Sequence, residues 1–92
     1  MQNRKNQKRT TLNSMRITLL DWDPMDLFLI GQAGLEEYDE YLVLISNATK
    51  RAKNLDELIE SLTSIAEKEM DAKADPERTK IAAEKLLQLN LD

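Results

Sequence analysis

Acidic side chains dominate one short stretch of this sequence, and they are the first candidates for chemistry. The stretch from residue 21 to residue 40 contains no lysine or arginine and has a charge of −7, from Asp21, Asp23, Asp26, Glu36, Glu37, Asp39 and Glu40. Carboxylates spaced three or four residues apart share one face of a helix, where a pair could bind a metal ion or transfer a proton. A patch of this charge also attracts cationic proteins.

The spacing of these carboxylates does not fit a metal or catalytic site. Asp21 and Asp23 begin like a calcium-binding EF-hand loop, but Asp26 stands where that loop needs glycine and Gln32 where it needs glutamate. Di-iron bundles require histidine, and the chain contains no His and no Cys, which also excludes thiolate zinc sites and thiol nucleophiles. We therefore predict no enzyme activity, no metal and no cofactor.

Aromatic side chains flank the acidic stretch and suggest binding instead of catalysis. Trp22, Tyr38 and Tyr41 either belong to the core or reach the rim of an interface, where tyrosine and tryptophan are common anchors. The predicted partner-binding residues are Asp21, Asp23, Asp26, Glu36, Glu37, Asp39, Glu40 and Tyr41. The alternative is that the acidic residues lie in the first turn of a helix, where they interact favourably with the helix dipole, or that they only keep the protein soluble.

Charge is distributed unevenly along the 92 residues. The net charge is −4, but Arg4, Lys5, Lys8 and Arg9 give the first ten residues +4, which leaves −8 for residues 11–92. A body of this charge repels nucleic acid and membrane headgroups, so we expect neither as a partner. We expect a protein partner, and the sequence leaves the oligomeric state open.

Two segments differ in their capacity to fold. Residues 1–11 contain no apolar side chain after Met1, so we expect a disordered basic tail, with residues 12–92 forming one helical domain. The tail lacks the apolar region of a secretory signal peptide, which favours a cytoplasmic location.

The first helix is predicted from apolar residues at helical spacing, which are Leu12, Met15, Leu19 and Trp22. Met15, Ile17 and Leu19 also alternate as in a strand, but the chain offers no second strand to pair with it. The residue before a proline disfavours helical geometry, so Asp23-Pro24 should end this helix. Trp22 should be buried against the helix that contains Tyr38.

Three further helices are predicted downstream. The second runs from Leu35 to Ala52 with its carboxylates in the first turn, and the third follows Asn54 as N-cap with Glu57 completing a capping box. The fourth begins at Asp75-Pro76 and should bury Ala82, Ala83, Leu86, Leu87 and Leu89. The fold class is therefore all-α, a compact bundle of about four helices with short connections and mostly antiparallel neighbours.

The motif Trp22-Asp23-Pro24, followed by Glu36-Glu37-Tyr38-Asp39 and Tyr41, resembles a family of small bacterial helical proteins of unknown function. Members of that family carry Trp-Asp-Pro, an apolar residue and Gly, then Asp-Glu-Tyr-Asp. The resemblance extends over roughly residues 12–88, and this chain differs from it in having Asp26 in place of Gly and Glu36 in place of Asp. Some relatives are similar to immunity proteins encoded beside secreted toxins.

What the resemblance implies agrees with the charge of the chain. Many interbacterial toxins are cationic nucleases, because their substrate is a polyanion. We expect an immunity protein that binds and neutralises such a toxin without chemistry of its own. The alternative is a structural or regulatory helical subunit that docks on a host protein through the region of Tyr38 and Tyr41.

Overall fold

The computed structural model describes residues 4–27 and 37–89, with side chains from Thr11 onward. Four α-helices follow one another in these ranges, and a short 3-10 helix, Asp39–Tyr41, immediately precedes the second of them. The α-helices are α1 Arg4–Trp22, α2 Leu42–Arg51, α3 Leu55–Lys68 and α4 Pro76–Leu87. The described ranges contain no strand, and this confirms the predicted all-α bundle.

Helix α4 is the central element, because it packs against each of the other three helices. Helix α1 lies against α4, α3 lies against α4, and α2 packs mainly on α3. Buried apolar side chains of the helices and of adjoining turns form one core, which consists of Met15, Leu19, Trp22, Tyr38, Ile45, Leu58, Leu62, Ala66, Met70, Ala82, Ala83 and Leu86.

Helix α1 begins at Arg4, before Leu12, the first residue of its apolar stripe. Arg, Lys and Gln are good helix formers and no Gly or Pro interrupts the segment between these two residues, which accounts for the earlier start. The exposure of Ile17 between buried Met15 and Leu19 excludes the strand pattern and confirms the helix.

The end of α1 lies where Asp23-Pro24 predicts it, after Trp22. Asp23 has a φ of 43°, in the left-handed region that aspartate tolerates better than most residues. Its N–H donates to the Leu19 carbonyl oxygen at 2.9 Å, a bond typical of helices that end in this conformation.

Helix α2 begins later than predicted. The continuous apolar spacing places its start at Leu35, which lies outside the described residues, but Glu37 and Tyr38 form a turn and α2 starts at Leu42. Tyr38 is only 2% exposed and is hydrogen-bonded to Asp23, and this contact holds the segment in a turn at the end of α1. The predicted start was therefore wrong, whereas Lys50 and Arg51 occupy the last turn as expected.

Helices α3 and α4 begin where their capping residues predict. The Asn54 side chain accepts a hydrogen bond from the Glu57 N–H at 2.9 Å, and the Glu57 carboxylate accepts one from the Lys53 N–H at 3.0 Å. Asp75 accepts from the Arg78 N–H at 2.8 Å, which caps α4.

The prediction that Leu87 is buried was wrong. The phase of α4 explains the error at Leu87. Ala82, Ala83 and Leu86 fill the core side of this helix, so the residue that follows Leu86 turns away from the core. Leu87 is consequently 41% exposed, whereas Leu89 is partly buried, as predicted.

Trp22 is fully buried, as predicted, but its hydrogen-bond partner lies in α4, and Tyr38 lies in a turn and not in the helix that was predicted there. The indole Nε1–H of Trp22 donates to Thr79 Oγ1 at 2.9 Å, a buried hydrogen bond between two side chains. The Thr79 hydroxyl in turn donates to the Asp75 carbonyl oxygen at 2.7 Å. Thr79 therefore satisfies the one polar atom of the largest side chain in the core.

We predict that Thr79→Val destabilises the protein by about 1 to 3 kcal/mol, because it leaves the buried indole N–H without an acceptor. Thr49→Val is the matched control, since the buried Thr49 hydroxyl bonds only to a carbonyl of its own helix, that of Ile45. Removing that bond should change stability by under about 0.5 kcal/mol. Urea unfolding of both variants measures the difference, and equal midpoints would contradict the role assigned to Thr79.

Candidate functional site

Two members of the predicted site motif, Asp23 and Tyr38, lie in the interior. They are 3% and 2% exposed, and the Tyr38 hydroxyl donates to Asp23 Oδ1 at 2.6 Å. The Leu27 N–H donates to the same carboxylate oxygen at 2.8 Å, and the Met25 N–H donates to the Tyr38 hydroxyl at 3.2 Å. These bonds join the end of α1, the turn that follows it and the segment before α2.

The environment of Tyr38 keeps its hydroxyl protonated. Burial raises the pKa of Tyr38, and the hydrogen bond to Asp23 and the charges of Asp23 and Asp26 raise it further. Donation from the Met25 N–H offsets only part of this rise. The hydrogen bond between this protonated hydroxyl and the buried Asp23 carboxylate joins the end of α1 to the segment before α2. Solvent has almost no access to either group.

Asp39, another predicted partner-binding residue, forms an ion pair with Arg16 of α1. The guanidinium meets the carboxylate with two parallel bonds, Nε to Oδ1 at 3.1 Å and Nη2 to Oδ2 at 2.7 Å. Both side chains are partly buried, and paired bonds of this kind are the strongest form of such an interaction. The pair links the 3-10 helix to the middle of α1.

Asp26 and Asp21 are paired with cations of α4. Arg78 donates to Asp26 at 3.0 Å and Lys85 contacts Asp21 at 3.5 Å, in partly exposed surroundings where each pair contributes up to about 1 kcal/mol. The hydrogen bond to Asp26 raises the pKa of Arg78. The predicted negative stretch is therefore partly neutralised by arginine and lysine side chains from outside it.

Glu37 and Glu40 are the predicted carboxylates that remain available at the surface. Both are exposed, and no cation within residues 11–27 and 37–89 forms an ion pair with them. Glu36 lies outside the described residues. Tyr41 follows Glu40 and is half-buried, so its ring contacts the protein while part of it meets solvent.

The surroundings of Tyr41 raise the pKa of its hydroxyl, and neighbouring carboxylates contribute to the rise. Its pKa is raised first by desolvation, then by the charge and hydrogen bonding of Glu40, and then by the charge of Glu69. Glu69 lies just beyond the end of α3 and is exposed. We refer to Glu37, Glu40, Tyr41 and Glu69 as the Tyr41 surface.

Glu69 is the member of the Tyr41 surface that the sequence analysis missed. Only three residues connect α2 to α3, so the two helices are antiparallel neighbours and the end of α3 returns to the start of α2. The short connection, together with the length of α3, is the signal that could have placed Glu69 beside Tyr41.

A groove of about 340 Å³ runs between α2 and α3. We refer to it as the α2–α3 groove, and its lining residues are Leu44, Asn47, Ala48, Arg51, Ala52, Glu57, Ser61, Ser64 and Ile65. A smaller pocket of about 120 Å³ lies between α1 and α4, where Lys85 and Arg78 already bind Asp21 and Asp26. The α2–α3 groove is therefore the larger of these two concave surfaces.

Neither a metal centre nor a membrane span can be assigned within the described residues. No cluster of three or more Asp, Glu, His or Cys residues is placed there to bind a metal ion. No helix in this part of the chain combines the length and the apolar character needed to cross a bilayer.

Comparisons with known proteins identify no relative of this chain. No protein-family model, curated protein or solved structure matches this chain. The similarity of the Trp22 and Tyr38 motifs to the helical bacterial family stays a prediction.

We predict that the raised pKa of Tyr38 makes stability fall as pH rises above about 10, the ordinary pKa of tyrosine. In that range the unfolded chain has released the tyrosine proton and the folded chain still holds it, so unfolding is favoured. One such proton contributes a slope of about 1.4 kcal/mol per pH unit.

Tyr38→Phe should remove this contribution, so its free energy of unfolding should fall less steeply above pH 10 than that of the parent. Tyr41→Phe is the comparison variant, because Tyr41 is only half-buried and should contribute a smaller share of the slope. Urea unfolding at a series of alkaline pH values gives the slopes. A Tyr38→Phe slope identical to that of the parent would show that Tyr38 titrates normally.

Proposed function

We propose that this chain is a protein-binding protein without chemistry of its own, and that it binds a cationic partner through the Tyr41 surface. The observation that carries this proposal is that the charges of exposed Glu40 and Glu69 act on half-buried Tyr41, and that neither these carboxylates nor exposed Glu37 form an ion pair with a cation of the described residues. Elsewhere in the acidic stretch the described carboxylates are buried or paired.

Electrostatics favours a cation at this surface. Carboxylates that lie close together repel one another, and a lysine or arginine of a partner relieves that repulsion when it binds. The ring of Tyr41 offers an apolar face beside the charges, which suits both the stem of a long cationic side chain and its charged end. The charge should act mainly on the rate of association and on the choice of partner.

The class of partner that we propose is a toxin domain, which makes the chain a cytoplasmic immunity protein. A toxin that cleaves nucleic acid needs a cationic surface to bind its polyanionic substrate. An acidic helical protein that covers this surface blocks the approach of the substrate by stoichiometric binding alone. The similarity of Trp22-Asp23-Pro24 and of the Tyr38 motif to a family with immunity-like members supports this choice.

The test compares two charge reversals of equal size. Glu37→Lys with Glu40→Lys changes the Tyr41 surface, and Glu60→Lys with Glu84→Lys changes exposed positions of α3 and α4. Affinity capture from the native cell with the parent protein isolates the partner, and association rates are then measured with the purified partner. We expect the first variant to associate at least about tenfold more slowly at 0.1 M salt and the second to be close to the parent.

Salt provides the control for this experiment. The difference between the two variants should shrink at about 1 M salt, where the Debye length falls to roughly 3 Å. Equal association rates for the two variants at low salt would remove the Tyr41 surface from the interaction. A captured partner that is itself acidic, or one that is a stable host subunit, would replace the toxin proposal with the structural or regulatory alternative.

A further inference from the structure

The two ends of the α2–α3 groove are lined by different residues. Because α2 and α3 are antiparallel, Leu44 and Ile65 line one end of the groove, and Arg51 and Glu57 line the other. Tyr41 precedes Leu44 by three residues and Glu69 follows Ile65 by four, the spacings at which side chains share a helical face. The groove therefore opens at its Leu44 end onto the Tyr41 surface.

Charge differs between these two ends. The Tyr41 surface carries the carboxylates of Glu37, Glu40 and Glu69, so this end is negative. The far end of the groove is lined by one residue of each sign, Arg51 and Glu57, and is close to neutral. An occupant that complements the groove is therefore cationic at one end only.

The walls between these ends are formed mainly by small side chains. Leu44 is 42% exposed, and the small side chains of Ala48 and Ser61 leave room for bulkier groups of an occupant. From Leu44 to Arg51 the groove follows α2 for about 10 Å at 1.5 Å per residue, which corresponds to two turns of a docked helix. Binding of an amphipathic helix in such a groove uses apolar anchors three or four residues apart.

We propose that the α2–α3 groove binds an amphipathic helix of the partner protein. Apolar side chains on two successive turns of that helix enter the groove, and its basic end lies over the Tyr41 surface. This inference rests on the proposed function, because it assigns the cationic partner a secondary structure and an orientation. It adds an apolar contact area to an interaction that the proposed function bases on charge.

Synthetic peptides of about 15 residues, held helical by a side-chain bridge, test the groove directly. The first peptide has a leucine stripe and three lysines at one end, the second has glutamines in place of the lysines, and the third has the composition of the first in a scrambled order without a stripe. We expect the first to bind about tenfold more tightly than the second at low salt, and the third to bind more weakly than either.

A matched pair of variants locates the binding. Leu44→Gln removes an apolar wall of the groove, whereas Val43→Gln makes a similar change at a neighbouring residue that is 71% exposed and is not part of the lining. We expect the first variant to lose about tenfold in affinity for the lysine peptide and the second to retain it. Both positions are exposed, so thermal melts should show two folded proteins.

Amide chemical shifts of the parent protein provide a second measurement that needs no variant. The lysine peptide should shift the signals of Ala48, Ser61 and Ser64. Shifts confined to α1 and α4, equal binding of the scrambled peptide, or equal affinities of the two glutamine variants would each overturn the groove proposal. The proposed function would survive that result if charge reversal at Glu37 and Glu40 still slowed association with the captured partner.

Discussion

The hydrogen bond between the Tyr38 hydroxyl and the buried Asp23 carboxylate is the interaction on which the rest of the structure depends. A carboxylate in the interior is costly unless donors surround it, and here Tyr38 and the Leu27 N–H both donate to it. The bond joins residues fifteen apart in the sequence and holds Tyr38 beside the end of α1. The start of α2, and with it the position of Tyr41, follows from this contact.

Formal charge in a sequence is a poor measure of the charge that a surface presents. The acidic stretch has no cation of its own, yet Arg16 approaches it from α1 and Arg78 and Lys85 approach it from α4. These contacts use part of the charge to join helices. The negative charge that remains available to a partner is smaller and more localised, and it lies beside the ring of Tyr41.

Local signals in the sequence predicted the structure well, and contacts between distant residues limited the prediction. Asn54 and Asp75 cap their helices through bonds to residues three positions away, so their neighbours alone define the geometry. The turn at Tyr38 depends on a partner in another segment, and the apolar spacing continues through it as if the helix were unbroken. For the same reason Glu40 and Tyr41 could be predicted as neighbours from the local sequence, whereas the position of Glu69 follows only from the antiparallel return of α3 along α2.

The central position of α4 has a consequence for how this protein folds during synthesis. Trp22 and Thr79 are 57 residues apart, so the first helix must wait for the last one before its tryptophan is buried. The neighbouring pairs α2 with α3 and α3 with α4 have short connections and can associate earlier. Until α4 has been synthesised, the apolar stripe of α1 remains exposed, and exposed surface of this kind makes a partly folded chain prone to aggregate.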